Sequence, residues 1–194
     1  MMPPHDTYIE THLGGGAIMR RKPAALHNIA IDLDLNALRA FKCEYPIEKV
    51  HSCAHEFLST YIFCGRELVY CDPPYLRYTR TSSRRYRFDY EERDHIELLE
   101  LLKRLACSVI LSGYPSGLYD ELLTDWGSLE LQVMNQAGVR TEKIWFTLPL
   151  TGCTGPATQA KISQIGNASN VNQKAGQSVI KRFLARNVWP CFPP

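Results

Sequence analysis

Between Tyr8 and Leu148, short apolar runs that end abruptly at an acid, a glycine or a proline alternate with stretches whose apolar positions recur at helical spacing. Residues 8–10 read as a strand entering the turn Leu13-Gly14-Gly15-Gly16-Ala17, after which Ala17, Ile18 and Met19 open a helix. A second strand covers 28–31 and ends at Asp32, and the helical period takes over at 35–45. The alternation continues with a strand at 50–53, a short helix at 55–61 and a strand at 68–70. Residues 91–105 form an amphipathic helix, with Glu91, Glu92 and Asp94 at its positive N-terminal end. A strand at 107–111 is broken by Ser112-Gly113-Tyr114-Pro115, and 119–124 gives a helical turn or two. Strands at 129–134 and 143–148 pair antiparallel across a turn near Ala137-Gly138. Strands alternating with helices predict an α/β fold: a mostly parallel sheet with helices on both faces and an antiparallel strand near its C-terminal edge.

Composition sets the limits of that picture. At 194 residues and 45% hydrophobic, the chain has room for one ordinary domain, placed at 1–150. Residues 151–177 are rich in Thr, Ser, Gln, Asn and Gly and read as a flexible polar linker, and 178–194 as a basic helix and tail that docks back on the domain. No apolar run approaches the roughly 20 residues that span a bilayer, and the N-terminus lacks the order of a signal peptide, so a cytoplasmic protein without a membrane partner is expected. Seven scattered cysteines without a Cys-x-x-Cys pair point to reduced thiols. His51, Cys53 and His55 have a spacing that suits zinc but lack a fourth ligand, so no metal is expected.

Chemistry concentrates at Leu68-Val69-Tyr70-Cys71-Asp72-Pro73-Pro74-Tyr75. Two prolines cannot continue a strand's hydrogen-bond ladder, and they restrict the residues before them. The Asp72 carboxylate and the Pro73 carbonyl thereby become a fixed acceptor pair for a planar exocyclic amine, and Tyr75 offers a face on which a ring can stack. The formal net charge of only +2 identifies no partner, but Arg77, Arg80, Arg84, Arg85 and Arg87 follow at once, interleaved with Tyr78, Tyr86 and Phe88. Such a segment is either a solvated surface loop or a phosphate-neutralising one whose aromatics approach bases. Upstream, strand, glycine turn, helix, strand and acid follow in the order of a nucleotide-binding βαβ unit, whose acid accepts hydrogen bonds from ribose.

Taken in order, Tyr8-Ile9-Glu10 with Gly14-Gly15-Gly16-Ala17, Ile31-Asp32-Leu33-Asp34, Leu68 to Tyr75, Asp94-His95, Leu111 to Tyr114 and Arg140 to Trp145 resemble the adenine-specific DNA methyltransferases of the DNA adenine methylase group, in a compact phage-like form. The resemblance implies a Rossmann-like S-adenosylmethionine-dependent methyltransferase fold and methyl transfer to the N6 amine of adenine in DNA. It implies that Asp72, Pro73, Pro74 and Tyr75 are catalytic, and that Glu10, Gly14, Gly15, Gly16, Asp32, Ala54 and Asp72 contact the cofactor. Duplex DNA is the implied partner of a monomer, met by Arg77, Arg80, Arg84, Arg85 and Tyr86. Three departures stand beside these matches. Thr11-His12 replaces the family's Pro-Phe; residues 35–67 are too few for a separate target-recognition domain; and no Gly-Gly-Lys segment precedes Tyr8, which implies weak cofactor binding. The alternatives are a weak or inactive DNA-binding remnant of such an enzyme, and an amino-methyltransferase acting on RNA or on protein glutamine.

Overall fold

The computed structural model describes residues 2–80, 87–135 and 138–147. The expected linker and C-terminal helix, together with Arg84, Arg85 and Tyr86, lie outside the described residues. Seven strands, β1 (Thr7–Glu10), β2 (His27–Asp32), β3 (Glu48–His51), β4 (Glu67–Cys71), β5 (Ser108–Gly113), β6 (Gly127–Asn135) and β7 (Gly138–Phe146), form one sheet in the order β3-β2-β1-β4-β5-β7-β6. The pairs β1–β2, β2–β3, β1–β4 and β4–β5 are parallel, whereas β7 runs antiparallel to both β5 and β6.

Strand periodicity sorts the core into two layers. Tyr8, Ala30, Leu68, Tyr70 and Ile110 face one side, where Leu38 and Phe41 at the end of α1 (Leu35–Ala40) and Leu13, Ile18 and Met19 cover them. Ile9, Ile29, Ile31, Val69, Val109 and Leu111 face the other. There they meet Leu58 of α2 (Ala54–Thr60), Leu98, Leu99 and Leu102 of α3 (Glu92–Lys103), and Tyr119 of α4 (Gly117–Leu122). Burial on both faces is why the parallel strands read as continuous apolar runs in the sequence. Among the described residues, no helix is long and apolar enough to cross a membrane.

Two expected helices differ. After the glycine turn the chain makes turns only, held by Arg20 N to Gly16 O at 3.1 Å and Lys22 N to Ile18 O at 3.0 Å, because Pro23 supplies no donor and ends the run after one turn. Helix α1 stops at Ala40 rather than continuing to Tyr45. Phe41 goes extended (φ −70°, ψ 130°) so that its ring drops into the core. That ring lies against Gly16, whose φ is +59°, and a Cβ placed there would fall inside it. Gly16→Ala is therefore expected to lose about 1–3 kcal/mol from left-handed strain alone, with displacement of Phe41 added; chemical denaturation of the two proteins measures it.

Candidate active site

Strand β1 has β2 on one side and β4 on the other, so chain direction across the sheet reverses at its C-terminal end, and that is where open α/β sheets bind ligands. The expected site residues meet at this edge. Glu10 ends β1, Asp32 ends β2, and Asp72 follows the last residue of β4.

On the β2 side, Asp32 Oδ2 accepts from Gly14 N at 2.7 Å and Oδ1 accepts from Asp34 N at 2.7 Å. The acid thus ties the glycine turn to its own strand end. Gly14 has φ +48°, and a Cβ on Gly14 or Gly15 would meet no atom within 4 Å, so open space lies before this backbone. Gly16 faces Phe41 instead and serves packing. Asp34 caps α1 through Asn36 N at 2.9 Å, and its carboxyl is held below the ordinary aspartate range first by that amide and then by Arg87. Buried Glu10 accepts from the Tyr8 hydroxyl at 3.1 Å. Ala54 is the buried first residue of α2.

On the β4 side, Pro73 and Pro74 are buried while Asp72 and Tyr75 are half-buried. The Ser112 hydroxyl donates to Asp72 Oδ1 at 2.8 Å and lies 3.1 Å from the hydroxyl of fully buried Tyr70. Since the single serine hydrogen goes to the carboxylate, Tyr70 donates to Ser112, and burial raises the Tyr70 phenol well above its ordinary value, so it stays a donor. Beyond the prolines, the Tyr75 and Tyr114 rings meet edge to face at 4.6 Å, and Arg140 donates to the Tyr114 hydroxyl at 3.0 Å. Ser112 and Tyr114 were not among the residues expected at the site. The signal was present: Ser-Gly-Tyr-Pro breaks β5 as Asp-Pro-Pro-Tyr breaks β4, and neighbouring parallel strands bring their broken ends together.

The basic segment divides. Arg80 is a correction: its side chain is 9% exposed, its guanidinium donates to the Tyr75 carbonyl, and it grips Asp89 at 2.5 and 3.1 Å, so it anchors the loop from inside and does not face a phosphate. Half-exposed Arg77 pairs with Asp89 at 3.6 Å and with Glu91 at 3.3 Å. Arg87 bridges to Asp34 at 3.1 Å. Of the zinc-spaced trio, His51 bonds the Leu33 carbonyl at 3.0 Å and Cys53 lies 3.6 Å from His55. Among the described residues, no three His, Cys, Asp or Glu side chains converge as metal ligands.

No protein-family model and no curated protein matches the chain. Solved structures do resemble it. A DNMT2 mutant from Spodoptera frugiperda has a TM-score of 0.52 at 13% identity, over 77% of this chain and 52% of that one. The 23S rRNA methyltransferase ErmE has a TM-score of 0.50 at 10% identity, over 87% of this chain and 74% of that one. TrmK of M. capricolum, solved with S-adenosyl-homocysteine, has a TM-score of 0.47 at 10% identity, over 80% and 68%. The chain spans about half the length of the DNMT2 structure. The fold is the Rossmann-like fold of S-adenosylmethionine-dependent methyltransferases.

The Arg80–Asp89 clamp carries a prediction. Arg80, before the other contacts, holds the Asp89 carboxyl below its ordinary value of 3.8. A depressed carboxylate contributes stability that is complete above its unfolded value and is lost as pH falls through the folded one. Asp89→Asn is expected to cost roughly 1.5–3 kcal/mol at pH 7, and the gap to the unaltered chain should narrow on acidification, as urea titrations at two pH values will read.

Proposed function

We propose that the chain transfers the methyl group of S-adenosylmethionine to the N6 amine of adenine in DNA. The carrying observation is Asp72, fixed by Ser112 on one oxygen, at the same sheet edge as the Tyr75–Tyr114 ring pair and the Asp32–Gly14 cradle. The cradle fits a nucleoside: Asp32 uses one acceptor position per oxygen on backbone amides, and a carboxylate offers about four, which leaves capacity for ribose hydroxyls. Glu10, Gly15 and the first amide of α2 at Ala54 complete the set of residues that hold the cofactor. When bound, S-adenosylmethionine supplies an electrophilic methyl on a sulfonium centre.

The residues of the chain then have an orientation problem to solve. An aromatic amine delocalises its lone pair into the ring and is a poor nucleophile. Accepting its two N–H bonds at Asp72 and at the Pro73 carbonyl localises that pair and favours the positive charge that develops on nitrogen. The Ser112 hydroxyl fixes the carboxylate through one oxygen, so Asp72 is oriented before the amine arrives. Tyr75 and Tyr114 receive the base. Extruding it from a duplex costs a few kcal/mol, of which stacking returns about 1–3 kcal/mol. Duplex DNA is accordingly the proposed partner of a monomeric enzyme, with Arg77 its described basic contact beside Arg84, Arg85 and Tyr86.

The test places the full chain and tritium-labelled S-adenosylmethionine with duplex DNA, single-stranded RNA and a glutamine-bearing protein side by side. Label is expected in DNA alone. Label in RNA or protein instead would replace the substrate, and label nowhere would make the chain a binding remnant. Asp72→Ala should abolish transfer while leaving cofactor affinity largely intact. Asp32→Ala should instead weaken calorimetric binding of S-adenosylmethionine by roughly 1.5–3 kcal/mol.

A further inference from the structure

A second hydrogen-bonded file starts at the same edge. The Thr11 hydroxyl lies 2.9 Å from His12 Nδ1, and His12 Nε2 lies 3.0 Å from the Tyr90 hydroxyl. That hydroxyl is 3.4 Å from His55 Nδ1, and His55 Nε2 is 3.0 Å from the Asp94 carbonyl oxygen. The loop after β1 contributes Thr11 and His12, the segment before α3 contributes Tyr90, and the first turns of α2 and α3 contribute His55 and Asp94. At the inner end, Cys71 Sγ is 3.7 Å from His12 Nδ1, and Cys71 directly precedes Asp72. At the outer end, His55 is half-buried and reaches solvent.

The bonds have a direction. A carbonyl only accepts, so His55 carries its hydrogen on Nε2 and offers a lone pair at Nδ1. Tyr90 donates to that lone pair, accepts from His12 Nε2–H, and leaves the His12 Nδ1 lone pair facing the Thr11 hydroxyl. This polarity satisfies every polar atom in the file. The reverse polarity, with His12 protonated on Nδ1 and Tyr90 donating to its Nε2, remains bonded, and the Cys53 thiol, 3.6 Å from His55 Nδ1, is the donor left for His55. Two bonded polarities that differ by one proton moved from the inner end to the outer end are what a relay requires.

We infer that the Thr11–His12–Tyr90–His55 file is the outlet for the proton released by methyl transfer, with His12 as its acceptor. The inference rests on the methyl-transfer reading. The nitrogen lone pair forms the N–CH3 bond as the S–CH3 bond breaks with its electron pair on sulfur. The N–H bond facing Asp72 loosens in the same step and breaks with its pair on nitrogen, and its proton goes by way of the Asp72 carboxylate to His12 Nδ1 as the Thr11 hydroxyl turns away. His12 Nε2–H passes its proton to Tyr90, Tyr90 passes its own to His55 Nδ1, and His55 releases one proton to water. Facing His12 are Cys71 at the end of β4 and Asp72 just after it, His55 of α2, Tyr90 just before α3 and His95 in its first turn; burial holds the ring neutral at rest, down to about 4, against Asp72, which favours its charged form. The Cys71 thiol, pushed up by burial to about 12, stays protonated. A doubly protonated, newly methylated aromatic amine is a far stronger acid than such an imidazolium, so the transfer runs downhill.

Tyr90→Phe cuts the file while keeping the ring that packs edge to face on His12 and His95. In single-turnover methylation of duplex DNA it is expected to slow transfer roughly 10²-fold, abolish the solvent deuterium effect of the unaltered chain, and leave S-adenosylmethionine affinity unchanged. Imidazole nitrogen NMR of the full chain should show His12 neutral and Nε2-protonated at pH 7 and a hydrogen on His55 Nε2, with both signals moving in Tyr90→Phe. An active chain whose Tyr90→Phe variant keeps the parental rate and isotope effect overturns the relay and leaves the methyl-transfer reading standing. No transfer by the unaltered chain overturns that reading and the relay's role with it.

Discussion

The parallel pairing of β1 with β4 at the centre of the sheet is the constraint on which the site depends. Its register sets Glu10 opposite Tyr70, so the loop leaving β1 and the acid-proline turn leaving β4 emerge side by side. Had β4 been added beyond β3, Asp72 would stand three strands away from Glu10. The reversal of strand order at β1 opens the crevice, and the pairing of β5 with β4, Cys71 opposite Leu111, brings Ser112 beside Asp72. Cradle, acid and aromatic notch are thus consequences of one strand order.

That order was only partly legible. The strands announced themselves because burial on both faces makes parallel strands continuously apolar, as at Leu68 to Cys71, and the breakers Asp72-Pro73-Pro74 and Ser112-Gly113 marked their ends. Asp32 and the glycine turn were legible for the same reason: an acid after a strand, and backbone without side chains, are local signals. Helices 17–19 and 35–45 were overread because periodicity records which residues are apolar, whereas Pro23 and the Phe41–Gly16 contact decide where the backbone can continue. The latter is a tertiary contact across 25 positions of sequence, visible only once α1 and the glycine turn are packed together.

Side-chain partnerships over long range were the least legible. Arg80 looked like one of a run of phosphate-binding arginines, yet with its side chain 9% exposed it faces an Asp89 that is 10% exposed and secures the carbonyl of Tyr75. A charge run in sequence says nothing about which member turns inward. Similarly, Thr11-His12 registered only as a departure from a familiar pair of residues. Its meaning depends on Tyr90, 78 positions away from His12, whose hydroxyl joins it to His55. The departure and the histidine of α2 belong to one hydrogen-bonded system.

The central claim is that Asp72, at the end of β4, presents an adenine amine to a methyl donor seated against Asp32. Mass spectrometry of nucleosides from cellular DNA, after expression of the unaltered chain in cells that lack adenine methylation, tests it most directly. N6-methyldeoxyadenosine should appear with the unaltered chain and be absent with a folded Asp72→Asn variant. Its absence in both, or equal amounts in both, would contradict the account.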